Sequence, residues 1–208
     1  MKKTIIPEGY KPKLDLFETQ RAIKVVKDSF ERKLAKKLKL QRVTAPRFLK
    51  VGPGLQDDLA GTQIPVSFHT KMGHIEVVHS LAKWKRHALG KFSFEIGTGL
   101  YTDMDAIRKD EEVDEAHSIY VDQWDWEKVI TKKQRSLTFL KKIVRTIYQA
   151  IVETESVVEK EFPKLKHKLP KDIFFIHSEE LEEIYPKLSP REREDKIAEK
   201  HGAVFIIG

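Results

Sequence analysis

Apolar residues recur at Ile23, Val26, Phe30, Leu34 and Leu38, a spacing of three to four that predicts an amphipathic helix in the first quarter of the chain. Asp15, with Glu18 three residues on, forms a capping-box-like start, so this helix should open near Asp15. Leu40 to Leu49 reads as a strand that Pro46 stops or confines to an edge. Residues 51–61 form a loop rich in Gly and Asp, and Pro65–His69 and Ile75–Val78 read as short strands. Ser80 can cap a helix running to Leu89 with Leu81, Trp84 and Ala88 facing inward. Gly97 and Gly99 then punctuate the turn into a strand, Leu100–Arg108, and an acidic loop leads to a returning strand that ends at Glu127.

In that returning strand side chains alternate between faces, which sets Ile119, Val121, Gln123 and Asp125 against Tyr120, Asp122, Trp124 and Trp126. An amide and a carboxylate therefore share one surface, while the two tryptophans read as core residues. A long helix is expected from Thr131, with Gln134 completing a capping box and apolar positions at Leu137, Leu140, Val144, Ile147, Ile151 and Val158. Beyond Pro163 the pattern predicts a strand at Ile173–Ile176, a short helix after Ser178, and a helix opened by Ser189, Pro190 and Glu192. Gly202 ends that helix, and Ala203–Ile207 is an apolar strand.

A chain of 208 residues without a Gly/Ser-rich or Pro-rich linker points to a single domain, 1–208. The absence of cysteine excludes disulfides and thiolate metal sites. Ile5 and Ile6 are followed at once by Pro7, which leaves no apolar core for a signal peptide, and no apolar run is long enough to span a membrane. A cytoplasmic protein with no membrane partner is expected. Residues 1–50 hold 15 Lys/Arg against 5 Asp/Glu, a charge of +10, so the remainder carries −3 of the total of +7. Such a patch can bind nucleic acid, but these lysines surround a regular apolar stripe and read as a solvated helical face, so nucleic acid is not the expected partner. The eight histidines show no paired helical spacing, and no metal site is assigned.

Two strings carry a resemblance. His79-Ser-Leu-Ala-Lys-Trp-Lys-Arg86 and Tyr120-Val-Asp-Gln-Trp-Asp-Trp-Glu127, together with Gln56-Asp-Asp-Leu-Ala-Gly61 and the closing Gly202–Gly208, resemble the ammonia-dependent asparagine synthetases along essentially the whole chain. The resemblance implies an α/β (α+β type) fold of the class II aminoacyl-tRNA synthetase kind, a mostly antiparallel sheet flanked by helices. It also implies a homodimer formed through the first helix and the Pro46 strand. Family members continue past the position of Gly208 with further strands and a glycine-rich third motif, so the C-terminal part of the family domain is expected to be missing from these 208 residues.

The implied activity is that of an aspartate–ammonia ligase: ATP-dependent amidation of L-aspartate through a β-aspartyl-adenylate, with AMP and pyrophosphate released and Mg2+ accompanying ATP. Bringing a carboxylate to a phosphate demands fixed positive groups aimed at the oxygens. By resemblance, Arg108 forks onto the α-phosphate, Lys85 contacts the substrate carboxylate, and Asp57 lies where a carboxylate can hold ammonium and take its proton. Gln123 and Asp125 hold aspartate, Asp125 through the α-ammonium, while Ser80 is either a substrate contact or a helix cap. Ser118 and Val121 lie near the nucleotide. His79 and His117 are left with local hydrogen bonds. Two other readings stay open at this point: a non-catalytic relative that binds ligands or dimerises, and a tRNA-binding relative of the synthetases.

Overall fold

An antiparallel hairpin of two nine-residue strands forms the spine of the part of the molecule that carries the candidate chemistry. The computed structural model describes residues 9–59, 61, 63–114 and 117–208, so Ile5, Ile6, Pro7 and Ala60 lie outside the described residues. The chain forms two compact units, one containing Leu38–Lys132 and the other Pro12–Lys37 with Lys133–Gly208.

In the first unit, β5 (Gly99–Ile107) pairs with β6 (Tyr120–Lys128) from Gly99 opposite Lys128 to Ile107 opposite Tyr120. A short strand, β1 (Leu40–Arg42), adds in parallel to the other edge of β5. The second sheet has the order β2 (Phe48–Lys50), β4 (Gly73–Val77), β3 (Ser67–Thr70), all antiparallel. One helix, α2 (Ala82–Lys91), packs on the hairpin. The alternation of β5 explains why. Leu100, Thr102, Met104 and Ala106 are at most 1% exposed, whereas Asp103 on the opposite face is wet. Leu100 packs with Ala88 and Leu89, and Met104 and Ala106 pack with Leu49, Val78 and Leu81. Trp84, half-buried, touches both groups.

The second unit contains α1 (Leu16–Leu38, apart from its last residue), α3 (Leu137–Glu161), α4 (Ser178–Ile184), α5 (Pro190–His201) and the parallel pair β7 (Phe174–His177) and β8 (Val204–Ile207). Leu14, Ala22 and Phe162 form one small core, and Ile176, Leu181 and Ile197 another.

Local signals located most ends correctly. Asp15 and Glu18 exchange reciprocal bonds, Glu18 N donating to Asp15 Oδ1 at 2.7 Å and Asp15 N to Glu18 Oε2 at 3.0 Å. Ser189 and Glu192 do the same for α5, and Gly202 closes it at φ 73°. Four expectations change. Leu40–Leu49 is two strands in two different sheets, with Pro46 between them, because a residue without an N–H interrupts the ladder. The second long helix opens at Leu137, after a single 3-10 turn at Lys132–Gln134, and is capped by Ser136, which accepts from Phe139 N. On α1, Ile23 and Val26 are 47% and 39% exposed, and the buried positions are Ala22, Ser29, Leu34 and Leu38. Trp124 and Trp126 are half-buried on the face opposite Met104 and Ala106, with Asp103 and Tyr101 as their cross-strand neighbours.

Gly99 shows how closely β5 and β6 approach. A Cβ there would lie 2.2 Å from the carbonyl oxygen of Glu127 and 2.8 Å from Lys128 Cα, both rigid backbone atoms. Gly99→Ala should therefore lower stability by about 1–3 kcal/mol, read as a reduced urea midpoint with an unchanged m-value.

Candidate active site

Lys85 is the buried centre of the site. Only 4% of its side chain is exposed, and a lone ammonium group at such a position is strongly disfavoured unless paired. It is paired with the carboxylate of Asp125, donates to the carbonyl of Trp126 at 3.2 Å, and lies 3.8 Å from Glu127 Oε2. The pairing follows from strand alternation: Val121, Gln123, Asp125 and Glu127 all occupy the face of β6 that α2 covers, opposite Ala106, Met104, Thr102 and Leu100. Lys85 is thus a buried residue of α2 and not part of its solvated face. Burial pushes the Glu127 carboxyl above its usual range. Lys85 and Arg86 draw it back, and Asp125 and Asp57 push it further up.

Asp57 reaches α2 from the Gly- and Asp-rich loop. Its Oδ2 accepts from Ala82 N at 2.6 Å and its Oδ1 from Lys83 N at 3.1 Å. It supplies the acceptor that a helix N-terminus needs and that the residue at the N-cap position, Leu81, lacks. The cap alternative for Ser80 is thus replaced: Ser80 is half-buried just before Leu81, and Asp57 is the cap. The loop is tied down further by Gln56, whose amide donates to Val77 O at 2.9 Å. The buried ring of His79 adds a donation from Nε2 to the carbonyl of Asp57. Gly52 and Gly54, at φ 117° and 71°, allow the turns that bring it there.

Arg108 lies just past β5, its N–H donating to Ile119 O at 2.8 Å. This closes the hairpin and sets Arg108 beside the segment that carries Ser118 and Val121. Its Nε is buried and has no hydrogen-bond partner among the described residues. The arginine lines a cavity of about 170 Å³ with Gln63, His79, Lys109, Asp110 and Glu111. A neighbouring cavity of about 260 Å³ is lined by Lys50, Gln56, Asp57, Glu76, His79 and Lys83. His79 and Gln63 belong to both linings, so they connect the two cavities, whereas Lys85, Gln123 and Asp125 lie outside them. The Gln123 amide donates to Met104 Sδ at 3.9 Å, and Val121 packs on the Met104 and Ala106 cluster. Ser118 Oγ accepts from Tyr120 N at 3.3 Å, and His117 is bound locally to Asp114.

Sequence reasoning passed over Glu127 and expected only a local hydrogen bond for His79, whose ring instead bonds the distant Asp57 carbonyl. The parity that joined Gln123 to Asp125 extends to Glu127, so that residue was within reach of the alternation argument. No local pattern marks a histidine ring that bonds a backbone carbonyl 22 positions away. Asp57→Ala should cost about 0.5–2 kcal/mol and speed hydrogen exchange selectively at the amides of Ala82 and Lys83.

Residues 17–208 match the aspartate-ammonia ligase family model. Among curated relatives, the aspartate–ammonia ligase of Clostridium perfringens is 56% identical over 211 aligned positions, covering 100% of this chain and 63% of that protein. The aspartate–ammonia ligase of Bacteroides thetaiotaomicron is 53% identical, covering 100% of this chain and 61% of that protein. The chain thus spans a little over three-fifths of the length of these relatives. Asparaginyl-tRNA synthetase from Pyrococcus horikoshii, solved with asparaginyl-adenylate, is similar in fold, with a TM-score of 0.65 at 14% identity over 92% of this chain and 45% of that one. The Entamoeba histolytica asparaginyl-tRNA synthetase has a TM-score of 0.60 at 11% identity, over 91% and 44%. The expected class II synthetase-like fold is therefore found, and the chain belongs to the aspartate–ammonia ligase family.

Proposed function

We propose that the chain acts in an aspartate–ammonia ligase, a cytoplasmic ATP-dependent enzyme of amino-acid biosynthesis that converts L-aspartate and ammonia into L-asparagine. The observation that carries this reading is Arg108, a cavity-lining residue whose buried Nε has no hydrogen-bond partner among the described residues. A buried donor left unbonded costs about 1–3 kcal/mol, and the planar fork of arginine suits phosphate oxygens. In the first step the aspartate β-carboxylate attacks the α-phosphorus of ATP, pyrophosphate leaves, and Arg108 offsets charge on the phosphoryl oxygens. In the second, ammonia attacks the acyl carbon and AMP leaves.

Lys85 takes the substrate carboxylate, Asp125 the α-ammonium, and Gln123 a further polar contact on the same strand face. Ser80 is a substrate contact at the head of α2, and Ser118 and Val121 flank the nucleotide beside the Arg108–Ile119 closure. Asp57 retains lone pairs beyond the two bonds it accepts from α2. It also lines the larger cavity, which supports the role of holding ammonium. Mg2+ accompanies ATP. Among the described residues no group of three or more His, Cys, Asp or Glu side chains could hold a metal ion, and no ligand for it is assigned to this chain. The tRNA-binding and non-catalytic alternatives are not favoured by the family relationship.

A homodimer is part of the same proposal. It is supported by exposed apolar surface on α1, where Leu16, Phe17, Ile23 and Val26 are 89%, 74%, 47% and 39% exposed. The edge-to-face pair of Phe48 and Phe68, 5.6 Å apart and both exposed, gives further support.

In the native protein Arg108→Lys keeps the charge and loses the fork. It should reduce aspartate-dependent AMP formation by about 10²–10³, and an unchanged rate would remove Arg108 from the phosphate. Ile23→Asp should halve the mass seen by sedimentation while changing monomer stability by no more than about 0.5 kcal/mol. A dimer that survives both this change and Val26→Asp uses another surface.

A further inference from the structure

Lys85 has a second counter-ion to which the reaction as proposed gives no task. In that reading Asp125 pairs with the α-ammonium of aspartate and Lys85 with a substrate carboxylate, yet in the structure these two side chains are paired with each other. Binding of a zwitterion is then an exchange of partners. The incoming ammonium replaces Lys85 on Asp125, and the incoming carboxylate replaces Asp125 on Lys85. The exchange conserves charge, but it succeeds only if the ammonium of Lys85 stays in place while its nearest anion is withdrawn.

Glu127 stands where that restraint is needed. Its Oε2 is 3.8 Å from Lys85 Nζ, two residues along the same face of β6 from Asp125, and the carbonyl of Trp126 holds Nζ from a third direction at 3.2 Å. The backbone of Glu127 is itself fixed by the close approach to Gly99. Lys85, at 4% side-chain exposure, holds its charge out of solvent. We infer that Glu127 is a positioning residue that holds the Lys85 ammonium in place while Asp125 is released to the α-ammonium of the bound amino acid. This deepens the ligase reading and rests on it.

The charged groups that face Glu127 are Lys85 and Arg86 from α2, Asp125 from β6 and Asp57 from the loop. Burial raises its pKa, and the two cations do not cancel that effect. A carboxyl whose folded pKa lies above its unfolded value lowers stability at neutral pH, and that loss disappears as the pH falls below the unfolded value. An ionised Glu127 is therefore a liability to folding at pH 7, the opposite of what a residue kept for stability alone would show.

Glu127→Gln in the native protein tests the inference through L-aspartate binding by calorimetry, steady-state kinetics and melting at pH 7. The expected result is a loss of about tenfold in aspartate affinity, with a parallel rise in its KM. The KM for ATP should stay within about twofold, and kcat at saturating aspartate should change far less than the aspartate KM. The melting temperature should be no lower than that of wild type, and Glu127→Asp should recover part of the affinity. Aspartate affinity within twofold of wild type overturns the inference. So does a joint rise of both KM values with a lowered melting temperature, which marks a structural role. Wild-type protein that binds and turns over aspartate beside an unaffected Glu127→Gln variant sinks this inference alone, while wild-type protein that binds no aspartate sinks the ligase reading with it.

Discussion

The arrangement of the first unit depends on placing one ammonium group, that of Lys85, inside protein. A buried lysine demands anions within a few ångströms, and removing one member of such a pair typically costs about 3–5 kcal/mol because the other is left uncompensated. Asp125 meets that demand from β6 at hydrogen-bond distance, which sets the polar side chains of this strand on the face that α2 covers. Trp124 and Trp126 are displaced to the opposite face as a consequence. Exposed pairs such as Lys83 with Asp58, where the acid is 81% exposed, impose no such order on the fold, since water screens them.

The second constraint is the start of α2. Its first turn has donors and no local acceptor, and the Asp57 carboxylate supplies one from 25 residues earlier. This bond links the cavity loop to the helix that carries Lys85. Movement of Asp57 therefore exposes the first turn of α2, and a shift of α2 displaces Lys85 relative to Asp125. Gln56 and His79 brace the same loop against the end of β4. The two cavities and the buried ion pair are joined by this short chain of hydrogen bonds, even though the ion pair itself lines neither cavity.

These contacts explain what the sequence could and could not reveal. Reciprocal bonds between Asp15 and Glu18, or Ser189 and Glu192, span three residues, so their pattern is visible in the letters. The alternation in β6 is equally local, and it correctly grouped Val121, Gln123 and Asp125. What alternation cannot supply is which face is covered. Tryptophan suggested one answer, and the requirement of a buried cation on another element decided for the other. The cap of α2 was misplaced for a similar reason: Ser80 is adjacent in sequence, whereas Asp57 is adjacent only in the folded chain. On α1, helical periodicity located the element but not its orientation, because an apolar residue facing solvent, such as Ile23, has the same letter as one facing the core.

The site has two unlike ends. Beside Ile119, Arg108 presents a buried donor without an acceptor among the described residues; at Asp125, six residues further along the chain, a cation and an anion already satisfy each other. At roughly 3.3 Å per residue, about 20 Å of strand separates the two positions. In the proposed reading the first end takes an oxyanion and the second trades its pair for a zwitterion. An amino acid bound in that order presents its α-ammonium and α-carboxylate to Asp125 and Lys85 and directs its side chain towards Arg108. In the proposed reading this polarity selects which carboxylate is activated. The α-carboxylate is retained by the ion-pair exchange, leaving the β-carboxylate to meet the phosphate, so the amide forms on the side chain rather than on the backbone carbon.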